Sequence, residues 1–206
     1  AELALNADGK FLAIRVATIC NMGAYLTGGA GMVPTFMNLG CLAGVYTTPV
    51  IHAAVTCAFT NTQSTGPYRG AGRPEAVYVL ERLIDIAARE IGIDRIELRR
   101  RNIIPASEMP YQTGLTYKYD SGEFEKNLDM ALDMAGTAEF ESRRQSSAAQ
   151  GKLRGLGVIN MLEAAGGPMP EQIEIRFDSS GTVSVYAGTK SQGQGHETMY
   201  KILLSD

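Results

Sequence analysis

Apolar and polar residues alternate in two stretches of this chain, ELALNADGKFLAIRVATI at 2–19 and EQIEIRFDSSGTVSVYAG at 171–188, each broken midway by an Asp and a Gly. Alternation with a period of two around such a turn predicts a β-hairpin. In the second stretch Ile173, Ile175 and Phe177 precede the turn, and Val183 and Val185 follow it. Each hairpin runs on into a glycine-containing segment, so the two read as analogous units, too few to define a repeat.

Between the hairpins the apolar period lengthens to that of helices. Residues 74–91 carry Val77, Leu80, Ile84, Ala87, Ala88 and Ile91 at helical spacing, with Pro74 at the first position, Glu75 near the positive end and Gly92 as the stop. Asp94 and Glu97 resemble a capping box, starting a short basic helix through RIELRRRN that reads as a solvated or subunit-facing surface. After a loop with Pro105 and Pro110, one helix face holds Phe124, Leu128, Ala131, Leu132 and Ala135. Asp120 and Ser121 are its expected caps, and Met130 and Met134 are expected core filler. A polar helix from Thr137 runs into RRQSSAAQGK, whose Ser, Ala and Gln content sets a boundary near residue 150. The expected fold class is α+β, mixed sheets and β-hairpins flanked by helices, divided into residues 1–150 and 151–206.

Composition changes this picture in one region. Residues 16–68 contain no Asp, Glu, Lys or Arg in a chain that is 20% charged, where about ten such residues are expected. Glycines, Pro34, Pro49, Asn38 and several Thr interrupt the stretch, so it is not read as a membrane span. It reads either as buried sheet and close-packed loop, or as an uncharged backbone lying along a large buried ligand or a partner subunit. A formal charge of −3 gives no bulk electrostatic ground for binding nucleic acid or an anionic membrane. Cys20, Cys41 and Cys57 are odd in number and lack CxxC spacing, which fits small core residues in a reducing, cytoplasmic compartment. Glu2 and Asp8 fall where a signal peptide needs basic and apolar regions. The chain starts without Met and ends in HETMYKILLSD before a C-cap signal, so it is expected to be a piece of a longer protein.

Two segments bear on chemistry. In PYRGAGRPEA, residues 67–76, Gly70 and Gly72 allow close backbone approach, and the N–H groups of the following helix favour an anionic or oxyanionic group. Arg69 adds a charge-assisted donor, unless it or Arg73 pairs with Glu75 across the turn. GTKSQGQGHET, residues 188–198, follows the strand TVSVYAG and leads into a helix, a generic anion cradle in which Gln192, Gln194 and His196 can read amide or phosphate edges. It is neither a P-loop nor a GxGxxG turn, and a plain connection remains the alternative. His52 reads as a hydrogen-bonded core histidine, without neighbours at metal-ligand spacing. Glu163, ahead of AAGGPMP, reads as a paired or exposed carboxylate, with a buried carboxylate near a loop as the alternative. No nucleophile elbow and no general base can be picked from the pattern.

Taken together, YRGAGRPEA, ELRRRNIIP, YDSGEFEKNLDMAL and GTKSQGQGHET resemble, in order, blocks of the large molybdopterin-binding subunit of the molybdenum hydroxylases: xanthine oxidase, aldehyde oxidase and aerobic carbon monoxide dehydrogenase. The resemblance covers essentially the whole chain. It implies a two-lobed molybdopterin-binding domain, with 1–150 in the C-terminal part of the first lobe and 151–206 opening the second. It places Tyr68, Arg69, Gly70 and Ala71 beside the molybdenum centre and Gln192, Gly193, Gln194, Gly195 and His196 on the pterin and its phosphates. Arg69 would be the catalytic residue, orienting substrate or stabilising developing negative charge. The cofactor implied is molybdopterin with molybdenum, as the cytosine dinucleotide in a bacterial member. Iron–sulfur and FAD carriers would sit on partner subunits of a hetero-oligomer.

Departures from the family narrow the expectation. The carbon monoxide dehydrogenase turn has a copper-holding Cys where this chain has Gly70, so CO oxidation of that type is disfavoured. Xanthine oxidase has an aromatic residue where this chain has Ala71, and an Arg some thirty residues upstream, whereas 16–68 hold none. A purine is therefore disfavoured, leaving an aldehyde or another N-heterocycle. The family's earlier glycine loop would precede residue 1 and its glutamate base would follow Asp206, so this piece alone is expected to be inactive. The competing class is a binding or assembly module that keeps the glycine loops and holds a nucleotide or has lost catalysis.

Overall fold

The computed structural model describes residues 1–163 and 170–205, and the chain falls into two compact units, Ala1–Glu163 and Ala164–Asp206. The AAGGPMP loop lies, except for its last residue, outside the described residues.

In the first unit β1 (Glu2–Leu5) and β2 (Phe11–Asn21) form the first expected hairpin. Asn6 Oδ1 accepts from the N–H groups of Asp8 (3.0 Å) and Lys10 (2.8 Å), and Gly9 takes the left-handed φ of 78° that the turn needs. Strand β3 (Val50–Ala58) lies parallel to β2, with Ala13 opposite Val50 and Asn21 opposite Ala58, giving the order β1-β2-β3. Parallel neighbours need a crossover. Here it includes a π-type turn at Val33–Met37 and a short helix α1 (Asn38–Cys41).

Helix α2 (Arg73–Ile91) begins one residue before Pro74 and ends at Gly92, whose φ of 72° lets its N–H return to the Ala88 carbonyl. Asp94 caps α3 (Arg95–Asn102) by accepting from the N–H groups of Ile96 and Glu97, as its sequence predicts. A two-residue ladder pairs β4 (Tyr111–Gln112) with β5 (Lys118–Tyr119), and α4 (Phe124–Met134) and α5 (Phe140–Ala148) follow. The core joins Phe11, Ile14 and Val16 of β2 to Leu80 and Ile84 of α2 and Leu98 of α3.

A polar knot runs through this core. The fully buried Arg99 donates from Nε to Glu81 Oε2 at 2.7 Å and pairs through Nη1 with Asp85 Oδ1 at 2.9 Å. Tyr46 OH donates to the other Glu81 oxygen at 2.8 Å. Burial pushes the Glu81 carboxyl up, against the pull of the Arg99 charge and its hydrogen-bond donors. Burial also pushes the Tyr46 hydroxyl up, which keeps it a donor.

Several expectations fail against this packing. Asp120 and Ser121 do not cap α4: Ser121 Oγ bonds to Asp120, and the helix starts after Glu123 without a side-chain cap. The Phe124 ring sits edge-on to Tyr119, at 6.1 Å between centroids, so burial of that ring sets the helix start. Met130 and Met134 are exposed, as are Ala131 and Ala135, because only Phe124, Leu128 and Leu132 of that face reach the core. His52 is exposed on β3, where alternate side chains leave the core. Cys20 and Cys41 are buried but Cys57 is exposed. The uncharged stretch is divided: residues 41–46 are wholly buried, while 24–28 and 59–63 are exposed.

In the second unit β6 (Ile173–Phe177) and β7 (Val183–Ala187) make the second expected hairpin, in register from Ile173 opposite Ala187 to Phe177 opposite Val183. The helix α6 (His196–Ser205) follows. None of this unit's described residues is buried, and a largely apolar groove between β7 and α6 is lined by Val183, Val185, Tyr200 and Leu204. Among the described residues, no helix is long and apolar enough to cross a membrane, and no cluster of His, Cys, Asp and Glu could hold a metal ion.

Candidate functional site

The PYRGAGRPEA segment is a tight turn at the start of α2. Gly70 (φ 90°), Ala71 (φ 41°) and Gly72 (φ 95°) are three successive residues in the left-handed region, and Ala71 is the one non-glycine among the described residues to enter it. An L-residue there is strained by roughly 1 kcal/mol. The Ala71 N–H donates to the Tyr68 carbonyl at 2.7 Å, and the Arg73 N–H donates to the Gly70 carbonyl at 3.0 Å. Gly72 is gripped from the crossover: Asn38 Nδ2 donates to its carbonyl at 2.9 Å, and a Cβ at residue 72 would run into the Val33 carbonyl oxygen. A Cβ at Gly70 would lie 2.7 Å from Pro74 Cγ.

This backbone presents two side chains outward. Tyr68 is 86% exposed. Arg69 is also exposed, and no described residue pairs with it. Arg73 behaves differently. Its Nε lies 3.0 Å from Glu163 Oε1 as an ion pair, and its Nη1 lies 3.5 Å from the Gly70 carbonyl. The expected alternative, a pair with Glu75, does not form. Glu163 is indeed a paired carboxylate.

The GTKSQGQGHET segment is also built as expected from its residue types, with β7, a glycine loop and the N-terminus of α6 in succession. Gly193 (φ 113°) and Gly195 (φ 73°) are both left-handed, and the Met199 N–H returns to the Gly195 carbonyl at 2.9 Å. The Gln192 N–H donates to Gln194 Oε1, folding the loop on itself. Thr189 Oγ1 and Tyr200 OH are 2.9 Å apart, tying loop to helix, and the His196 ring lies 5.5 Å from that of Tyr200. First-turn amides of α6 are left for an anion, as at any helix N-terminus.

Thus Tyr68, Arg69, Gly70 and Ala71 share one turn of the first unit, and Gln192, Gly193, Gln194, Gly195 and His196 share one loop of the second. Asn38 and Glu163 hold the first turn and were not singled out for it by sequence. The available signal was Arg73 itself, a cation at the start of a helix, where the macrodipole disfavours it; the structure makes it the first residue of α2.

A glycine loop ahead of a helix in one unit, and in the other a left-handed turn whose arginine has no partner among the described residues, are each compatible with binding an anionic group. The family follows from comparison: the chain matches a model described as "Molybdopterin cofactor-binding domain" over residues 1–103 and another of the same description over 130–206. It belongs to this family, the molybdopterin-binding large subunits of the molybdenum hydroxylases.

Among relatives, the carbon monoxide dehydrogenase large chain of Afipia carboxidovorans is 35% identical over 99% of this chain and 28% of its own length. The 6-hydroxypseudooxynicotine dehydrogenase complex subunit gamma of Paenarthrobacter nicotinovorans is 32% identical over all of this chain and 26% of its own. The solved quinoline 2-oxidoreductase of Pseudomonas putida 86 superposes with a TM-score of 0.83 at 31% identity, over 95% of this chain and 27% of that one. The α+β architecture agrees with these neighbours, and the chain spans about a quarter of the length of the relatives it matches.

Proposed function

We propose that this chain is the central part of a molybdenum hydroxylase large subunit that hydroxylates an N-heterocycle or an aldehyde with oxygen from water. The observation that carries the reading is the Gly70–Ala71–Gly72 turn, strained at Ala71, gripped from both flanks and presenting an exposed arginine with no partner among the described residues. Strain of this kind persists where surrounding structure enforces it, and it clusters at ligand-binding sites.

The residues present fit a molybdopterin. Gly193 and Gly195 leave backbone open ahead of α6, which suits a pterin phosphate, and Gln192, Gln194 and His196 supply side chains that match its polar edges. When bound, the group supplies the two-electron oxidation chemistry. The chain's part is to bind and orient: Tyr68 and the 70–71 backbone approach the reacting centre, and Arg69 orients substrate and offsets negative charge as it develops.

Gly70 offers no thiolate and Ala71 no ring, which argues against copper-assisted CO oxidation and against a purine. Relatives named as a 6-hydroxypseudooxynicotine dehydrogenase and a quinoline 2-oxidoreductase support an N-heterocycle. The reading extends to a cytosine dinucleotide form of the cofactor, to iron–sulfur and FAD partner subunits in a hetero-oligomer, to a division into two lobes at 1–150 and 151–206, and to a cytoplasmic location. Relatives named as a gamma subunit and as large chains support the hetero-oligomer.

Metal analysis of the full-length protein tests the reading. One molybdenum per chain is expected, and Arg69→Ala is expected to lower kcat/KM by about 100-fold with molybdenum content unchanged. A full-length protein without molybdenum would overturn the assignment in favour of a non-catalytic cofactor- or nucleotide-binding module.

A further inference from the structure

We infer that Glu163 and Arg73 form a positioning clamp that closes the Gly70–Gly72 turn and so fixes the direction in which Arg69 and Tyr68 face the substrate. This deepens the hydroxylase reading and rests on it for the word substrate; the clamp itself rests on geometry.

Arg73 is an unexpected residue where it stands. It is the first residue of α2, at the positive end of a nineteen-residue helix, where a cation is disfavoured. Its side chain is only 12% exposed, so solvent screens little of that charge. Local rules broken at one position point to a compensating gain. Here the guanidinium folds back over its own turn, with Nη1 reaching the same Gly70 carbonyl that accepts the Arg73 backbone N–H. Both donors of one residue thus converge on one carbonyl of the strained turn. Glu163 holds the guanidinium there by charge, its Oε1 lying 3.0 Å from Nε as an ion pair without hydrogen-bond alignment.

Glu163 can act as an anchor because the segment leading to it is itself fixed. The Asn160 N–H approaches Glu81 Oε1 at 3.4 Å and its Nδ2 donates to the Phe124 carbonyl at 2.8 Å, while Leu162 packs on the core. The polar knot of Glu81, Arg99 and Tyr46 therefore holds the far end of the clamp. On the other flank, Asn38 holds the Gly72 carbonyl. With both carbonyls seized, the 70–71 and 72–73 peptide planes that bracket the turn are held, and Arg69 leaves a turn of fixed direction. Glu163 touches neither substrate nor cofactor in this account. It acts through Arg73.

The test uses the full-length protein and three variants: Glu163→Gln, Glu163→Asp and Arg73→Lys. Hydrogen exchange of peptides spanning 68–73 reads the turn whether or not molybdenum is present. Glu163→Gln is expected to raise exchange there about tenfold and to leave residues 77–90 of α2 unchanged. In molybdenum-loaded enzyme the same variant is expected to lower kcat per bound molybdenum by about 10- to 100-fold with a smaller change in KM. Glu163→Asp should restore part of both effects. Arg73→Lys, which keeps the charge and loses the guanidinium's second donor, should loosen the turn without unfolding the helix and serves if Glu163→Gln does not fold. Unchanged exchange at 68–73 in both Glu163→Gln and Arg73→Lys overturns the clamp, as does a fall in melting temperature with kcat per molybdenum intact. A wild-type protein without molybdenum would sink the hydroxylase reading and leave the exchange result to decide the clamp.

Discussion

The two glycines of the turn make different demands on their surroundings. At Gly70 an added Cβ meets the ring of Pro74, which has some freedom to move; at Gly72 it meets the Val33 backbone carbonyl, which has little. Gly70→Ala is therefore expected to destabilise the full-length protein by about 1–2 kcal/mol and Gly72→Ala by about 3 kcal/mol. Denaturant melts check the order, and an equal loss at both would contradict it. Residue types made this region legible, since glycine around a lone Arg signals backbone in unusual conformations near a ligand. What they could not reveal was the partner of Arg73. Glu75 is two residues away and makes no pair with it; Glu163 is ninety residues away and is brought there by packing.

At the scale of elements, local signals succeeded where local physics decides the outcome. Asp94 caps α3 because its side chain needs only amides two and three residues ahead, and Asp94→Ala is expected to cost about 1 kcal/mol in thermal melts. Both hairpins formed around their Asp and Gly turns for the same reason. The parallel union of β2 and β3 was not legible, because it is set by a crossover and by what covers the sheet, neither of which leaves a periodic mark. The start of α4 was misread in the same way: Asp120 and Ser121 offer good caps, but burying Phe124 against Tyr119 draws the helix start three residues on.

At the scale of the molecule the two units contrast. The first has a core of eighteen buried residues in one cluster, enough to organise its turn; the described part of the second has no buried residue and leaves Phe177, Leu203 and Ile202 more than half exposed. A hairpin and one helix cannot close a core around such surfaces. The isolated 206-residue chain is therefore expected to bind a hydrophobic dye, to associate as concentration rises, and to give no molybdenum-dependent hydroxylation. Turnover by the isolated chain would contradict this. The clamp across the first unit also has a consequence in time. A ribosome makes Arg73 ninety residues before Glu163, an interval on the order of ten seconds at ordinary rates of synthesis. Throughout it Glu163 does not yet exist to hold the arginine, so a turn closed by this clamp takes its final shape only after the rest of its unit has been made.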